Sequence, residues 1–130
     1  MALLVRPLLP FAAGAGGGKL PLAAGARGGH WVFASGLLPT TFGSAARPLS
    51  GEPQPTAQFR SLWERAQQVL HAGGSELARV VRADQFFTDW RTVPFFHETR
   101  RHACGKHIPP STSVLEAGLL LPQAAVAMNL

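Results

Sequence analysis

Two adjacent prolines, Pro109 and Pro110, stand directly before Ser111-Thr112-Ser113-Val114. This junction restricts the chain more than any other. Paired proline rings fix the backbone in an extended form, disfavour helix just before them and supply no amide donors. No helix can run through this point, so the next segment begins as extended chain, reading as a strand from Ser113 to Leu119. In a strand alternate side chains share a face, so the three hydroxyls cannot all point one way. A stiff lead-in aiming small polar groups at the edge of an apolar sheet makes a pocket wall. A solvated loop whose hydroxyls satisfy their own backbone is the competing reading.

Helical spacing is clearest after Thr56, a candidate N-cap: Phe59, Leu62, Trp63, Ala66, Val69 and Leu70 recur along one face,. Arg60, Glu64, Gln67 and Gln68 fill the opposite face, and Gly73-Gly74 ends the run,. Trp63 reads as core. A second helix starts at Pro94 and runs to about Cys104, with Val93, Phe96 and Ala103 inward,. Strand-like runs cover Leu20–Ala26, His30–Ser35, Val80–Thr88 and Ala124–Leu130, and Gly28-Gly29 turns the first into the second,. Thr40 to Pro55 reads as loop. The Gly14-to-Lys19 run invites a phosphate-loop reading, but Leu20 stands where a magnesium-binding hydroxyl would be needed,. Residues 1–19 therefore read as a flexible N-terminal segment, and 20–130 as a single α+β domain. Its order is ββαβαββ: one mixed sheet with two helices on one face.

A chain of 130 residues suits one domain with a real core,. With 46% apolar and 15% charged residues, it is not a disordered chain,. The net charge of +5 would attract anions,. Yet the cations are scattered apart from Arg100-Arg101, His102 and Lys106, and no aromatic-and-basic stripe appears, which argues against nucleic acid as a partner,. One cysteine, Cys104, cannot make an internal disulfide, which fits a reducing cytoplasm,. No apolar run approaches a membrane span. Arg6, Pro7 and Pro10 interrupt the apolar start, which reads as mature chain rather than a signal peptide,.

Four segments then occur in a familiar order. They are Gly29-His30-Trp31-Val32-Phe33-Ala34-Ser35-Gly36-Leu37-Leu38-Pro39, the helix ending in Val69-Leu70-His71-Ala72-Gly73-Gly74, the strand into Phe87-Thr88-Asp89, and Pro110-Ser111-Thr112-Ser113. Together they resemble the Rid (YjgF-like) family over about Leu20 to the end. The resemblance implies a chorismate-mutase-like fold assembled as a homotrimer, with a small-molecule site between subunits. It implies hydrolysis of reactive imines or enamines, such as 2-aminoacrylate, with release of ammonia and without metal or organic cofactor. In the family an arginine in a Pro-x-Arg-Ser segment clamps the substrate carboxylate, and a last-strand carboxylate orders water.

This chain departs from that pattern at several positions. Thr112 stands in place of the arginine, Ala127 or Asn129 in place of the last-strand Glu, and Leu37 in place of a common Gln. Leu22 lies near the position of a site tyrosine, and His97 about where the second helix presents an Asn. The last strand stops at Met128-Asn129-Leu130, a little before the family's usual ending. Ser35, Gly36 and Ser113 carry over as substrate-binding positions.

Replacements are sought nearby. His97 and Arg100, three apart on one helix flank, would move protons and hold an anion; a surface pair holding Glu98 or a trimer partner is the plainer reading. Thr112 and Ser113 would orient the substrate. Glu116, the only carboxylate on the two C-terminal strands, would activate water. His97, His102, Cys104 and His107 do not put three ligands on one helical face, so no metal site is expected. Cys104 and His107 lack an orienting third group. A non-catalytic metabolite-binding or scaffold trimer of the same fold is the alternative.

Overall fold

The structure, a computed structural model, describes residues 4–15, 18–39, 54–119 and 123–130. The expected loop over 40–53 and the connection at 120–122 lie outside them.

The apolar stripe forms helix α1 (Pro55–Ala72), burying Phe59, Leu62, Trp63, Ala66, Val69 and Leu70. It starts two residues earlier than a Thr56 cap would place it. Gln54 is the N-cap, and Pro55 occupies the first turn, where its missing amide costs nothing,. At the other end Gly74 (φ +75°) turns the chain out of the helix, and the Ser75 amide donates to Leu70 O at 2.8 Å,. Helix α2 (Val93–Cys104) buries Phe96 and Cys104. Phe96 sits at the meeting point of both helices and the sheet. Its ring lies 5.2 Å from Phe59 and 5.2 Å from Phe87, edge to face, and 5.5 Å from Trp63, stacked.

Six strands are present among the described residues, one more than the ββαβαββ reading contains. β1 (Val5–Ala15) pairs antiparallel with β2 (Gly18–Gly28), from Val5↔Gly28 to Ala15↔Gly18. The N-terminal segment read as flexible is thus a strand over Val5–Ala15, and Leu8 reaches the core. Pro7 and Pro10 lie on β1, an edge strand of its sheet, which is where sheets tolerate proline,. β3 (Trp31–Ala34) lies antiparallel on the other side of β2. In the C-terminal half, β4 (Ala83–Phe87) lies between a parallel β5 (Ser111–Leu115) and an antiparallel β6 (Val126–Asn129). The hydroxyls after Pro110 therefore begin a strand two residues earlier than expected.

Backbone bonds join the two three-stranded halves. Ala34 and Leu130 exchange amide and carbonyl at 2.9 and 2.8 Å; Leu37 and Met128 do so at 2.9 and 3.0 Å. Two residues, Ser35 and Gly36, oppose only Asn129 between those pairs. That is a β-bulge, and Gly36 (φ +63°) takes the left-handed conformation it needs,. The strand order becomes β1-β2-β3-β6-β4-β5. Gln58 of α1 clamps the approach to β6, accepting from the Ala125 amide at 2.7 Å and donating to Gln123 O at 3.2 Å.

Helices and core cover one face. On the other, Trp31 and Phe33 are 59% and 56% exposed. No helix among the described residues is long and apolar enough to cross a membrane.

Truncating the central ring should be costly. Phe96→Ala is expected to lower stability by about 3–5 kcal/mol in denaturant unfolding, since three aromatic partners lose contact at once. A loss below about 1 kcal/mol would show that the helix layer is not sealed around this ring.

Candidate functional site

Strand alternation sorts the polar residues of β4, β5 and β6 onto two faces. Ala83, Gln85 and Phe87 are buried beneath the helices, so Asp84 opens onto the helix-free face,. Its register partners are Thr112 on β5 and Asn129 on β6. The three form one row, with Asn129 and Thr112 about 10 Å apart at two strand spacings. Arg82 holds the Asp84 carboxylate, with Nε at 3.1 and 3.2 Å from its two oxygens. At the Asn129 end the row meets the bulge, where the Gly36 amide donates to Asn129 Oδ1 at 2.7 Å. Ser35, Gly36, Asn129, Asp84 and Thr112 are thus brought together. Gly36 supplies conformation rather than a free donor, because its amide is already used.

His97 and Arg100 do not join this row, contrary to the sequence expectation. They lie on α2, behind the sheet, where Arg100 Nη1 bonds to Ser111 Oγ and Ser113 Oγ donates to Gln85 Oε1 at 3.5 Å. Ser111 and Ser113 share a strand face, and Thr112 turns to the other; a one-residue step along β5 changes sides. Ser113 therefore binds Gln85 rather than lining the row. Buried atoms without a partner among the described residues cluster here: Gln85 Nε2, His97 Nε2 and Arg100 Nε. The imidazole of His97 is held below its ordinary range, first by burial and then by the positive charge of Arg100.

Glu116 extends the β4–β5 ladder, its amide donating to Phe87 O at 2.8 Å. Continued alternation puts it on the Thr112 side, and it is exposed,. Burial pushes the Cys104 thiol up, and the charge of Arg100 only partly opposes this, so it is no activated nucleophile,. Among the described residues no group of three or more His, Cys, Asp or Glu is placed to hold a metal ion.

Asp84 is the residue that sequence reasoning missed. Its signal was period-two alternation between Ala83 and Phe87, obscured because the buried neighbour Gln85 is also polar. Asn129 was noticed only as a substitute for an expected Glu; its bond to Gly36 has no signature in the sequence.

A family model described as Endoribonuclease L-PSP matches residues 20–130. Among solved structures, yeast Mmf1 superposes with a TM-score of 0.76 at 17% identity, covering 97% of this chain and 95% of that one. RidA from an Antarctic Psychrobacter gives 0.71 at 22% identity, covering 91% and 89%. The YjgF gene product of E. coli gives 0.73 at 19% identity, covering 95% of both. At such identities the likeness establishes the fold: an α+β sheet of the YjgF, chorismate-mutase-like type. No curated protein matches the chain.

A depressed histidine has a thermodynamic signature. The unfolded chain protonates more readily than His97 in place, so stability is full above about pH 6.5 and falls as pH drops through that value. Melting temperatures from pH 7.5 to 5 should fall more steeply for the wild type than for His97→Gln. Equal slopes would remove His97 from the balance.

Proposed function

The chain belongs to the endoribonuclease L-PSP family, the Rid or YjgF-like group, and on that premise we propose that it is a homotrimeric hydrolase of small imines or enamines. Proteins of this group typically form homotrimers. The exposed Trp31 and Phe33 on the helix-free face suit burial against further copies,. The site would lie at each seam, on the row from Thr112 through Asp84 to the Ser35-Gly36 bulge. The observation that carries this reading is the carboxylate of Asp84, fixed by Arg82 beside a hydroxyl on one side and an amide on the other.

The reaction follows from those groups. Thr112 and Ser35 hydroxyls orient the substrate, and Asp84 accepts a proton as water adds to the C=N carbon. The electron pair of the C=N bond moves to nitrogen, which takes up a proton. The hydroxyl proton of the tetrahedral aminol then passes by way of the Asp84 carboxylate to the amino group, the C–N bond breaks with its electron pair on nitrogen, and ammonia leaves as the carbonyl forms. Thr112 stands where relatives carry a substrate-clamping arginine, so the preferred substrate lacks a carboxylate at that point. Glu116, further along the same face, is the second candidate base.

A scaffold or metabolite-binding trimer without turnover is the other reading, favoured by that same Thr112. Ammonia release from freshly generated neutral imines separates the two. Asp84→Asn should cut turnover by about 10²-fold or more, and Thr112→Val should lower it less. A large loss in Glu116→Gln with none in Asp84→Asn would move the base to Glu116. Binding without turnover on any imine would establish the scaffold. Light scattering should give three copies per particle, and a monomer at micromolar concentration would remove the shared cleft.

A further inference from the structure

β4 and the chain leaving β3 are both antiparallel to β6, and β5 is parallel to β4. Helices α1 and α2 therefore each return between parallel strands and run in the same direction. On their outer side, away from the sheet, they leave a groove of about 560 Å³ between them. That size falls in the range of ligand sites, about 300–1,000 Å³. Arg60 and Glu64, four residues apart on α1, form one bank, and Glu98 and His102, four apart on α2, form the other,.

The groove has an aromatic floor with an unmet donor. Trp63 lines it, is 3% exposed and stacks on Phe96 with ring centroids 5.5 Å apart. Its indole Nε1 has no hydrogen-bond partner among the described residues. A buried indole N–H normally finds an acceptor, so this one marks a place where an acceptor is wanted. Glu64 and His102 beside it are exposed and long enough to turn aside for an entering group. Leu77 and Ala103 make the apolar end of the groove.

The charges on the banks are unpaired as well. Running the same way, α1 offers Arg60 and then Glu64, while α2 offers Glu98 and then His102. The ion pairs found among the described residues join Arg79 to Glu76, Arg82 to Asp84 and Arg91 to Asp89, and none involves these four. Two carboxylates and a guanidinium thus stand around one aromatic floor without meeting each other. A docking helix would want an apolar stripe along both banks, which this groove lacks. A small molecule carrying both charges fits it better.

We infer that the groove between α1 and α2 binds a small zwitterion with an apolar side group, the chemistry of a free aromatic amino acid. Its carboxylate meets Arg60 and accepts from the indole N–H of Trp63. Its ammonium lies between Glu64 and Glu98, and its side group packs over Trp63 toward Ala103 and Leu77. Binding here does not depend on catalysis at the Asp84 row. The groove lies on the helix side, so a trimer built on the helix-free face leaves it open.

The probe is L-phenylalanine, titrated into the full chain while the indole N–H resonances of Trp31, Trp63 and Trp90 are followed by NMR, with Trp31→Phe and Trp90→Phe to assign them. The Trp63 resonance should shift saturably and further than the other two. Arg60→Gln and Glu64→Gln should each weaken binding about tenfold, and 3-phenylpropionate and phenethylamine, which lack one charge each, should do the same for the ligand. Asp84→Asn should leave the affinity unchanged, and a loss in that variant would overturn the site by moving the ligand to the open face. Equal affinity for 3-phenylpropionate and L-phenylalanine would overturn the zwitterion. No Trp63 shift at millimolar L-phenylalanine would overturn the groove as its site, as would a Trp63 shift that follows protein concentration alone, which would show a second copy filling it.

Discussion

The four backbone bonds between the Ala34–Leu37 stretch and β6 are what make one sheet of two. Without them each three-stranded half would present an unpaired inner edge, and α1 would span a break rather than a surface,. The join is not a plain ladder. One extra residue on the β3 side forces a bulge, and only a residue free to take a left-handed turn fits at Gly36 without strain,. The displaced Gly36 amide would be left without a ladder partner, and Asn129 supplies an acceptor for it,. A Ser-Gly pair that looks like a substrate motif thus has structural work to do first. Any chemistry at Ser35 depends on that geometry.

The same period-two rule that places Asp84 beside Thr112 separates Thr112 from its neighbours. Ser111 and Ser113 turn under α2 and meet Arg100 and Gln85, forming a polar layer between helix and sheet. Its unpartnered atoms need hydrogen bonds, because burying a donor without an acceptor costs about 1–3 kcal/mol,. His97 lessens the problem by staying neutral, as burial and Arg100 both favour,. His97 and Arg100 therefore read as groups that seat α2 on β5, acting on the open face only through the strand they hold.

Much of this architecture was legible in the sequence. The stripe from Phe59 to Leu70 has the period of a helix and nothing to compete with it, and Gly73-Gly74 marks its end. The proline pair correctly announced a strand. The N-terminal strand was not legible, because its glycines, alanines and two prolines carry low strand propensity,. Its pairing to β2 is tertiary, set by a neighbour rather than by its own residues. The candidate site was half legible for a related reason. Residue types identified Thr112, Ser35 and Asn129 as positions of interest, but which face each takes depends on register. One residue of register exchanges the two faces. His97 looked close to Thr112 only while that register was unknown.

Edges give the fold its remaining asymmetry. The outer edge of β1 carries Pro7 and Pro10, with Leu9 between them at φ +48°, and a strand interrupted in this way resists further pairing,. The outer edge of β5 is only five residues long and comes directly after Pro109-Pro110. Both are protected in ways common to sheet proteins.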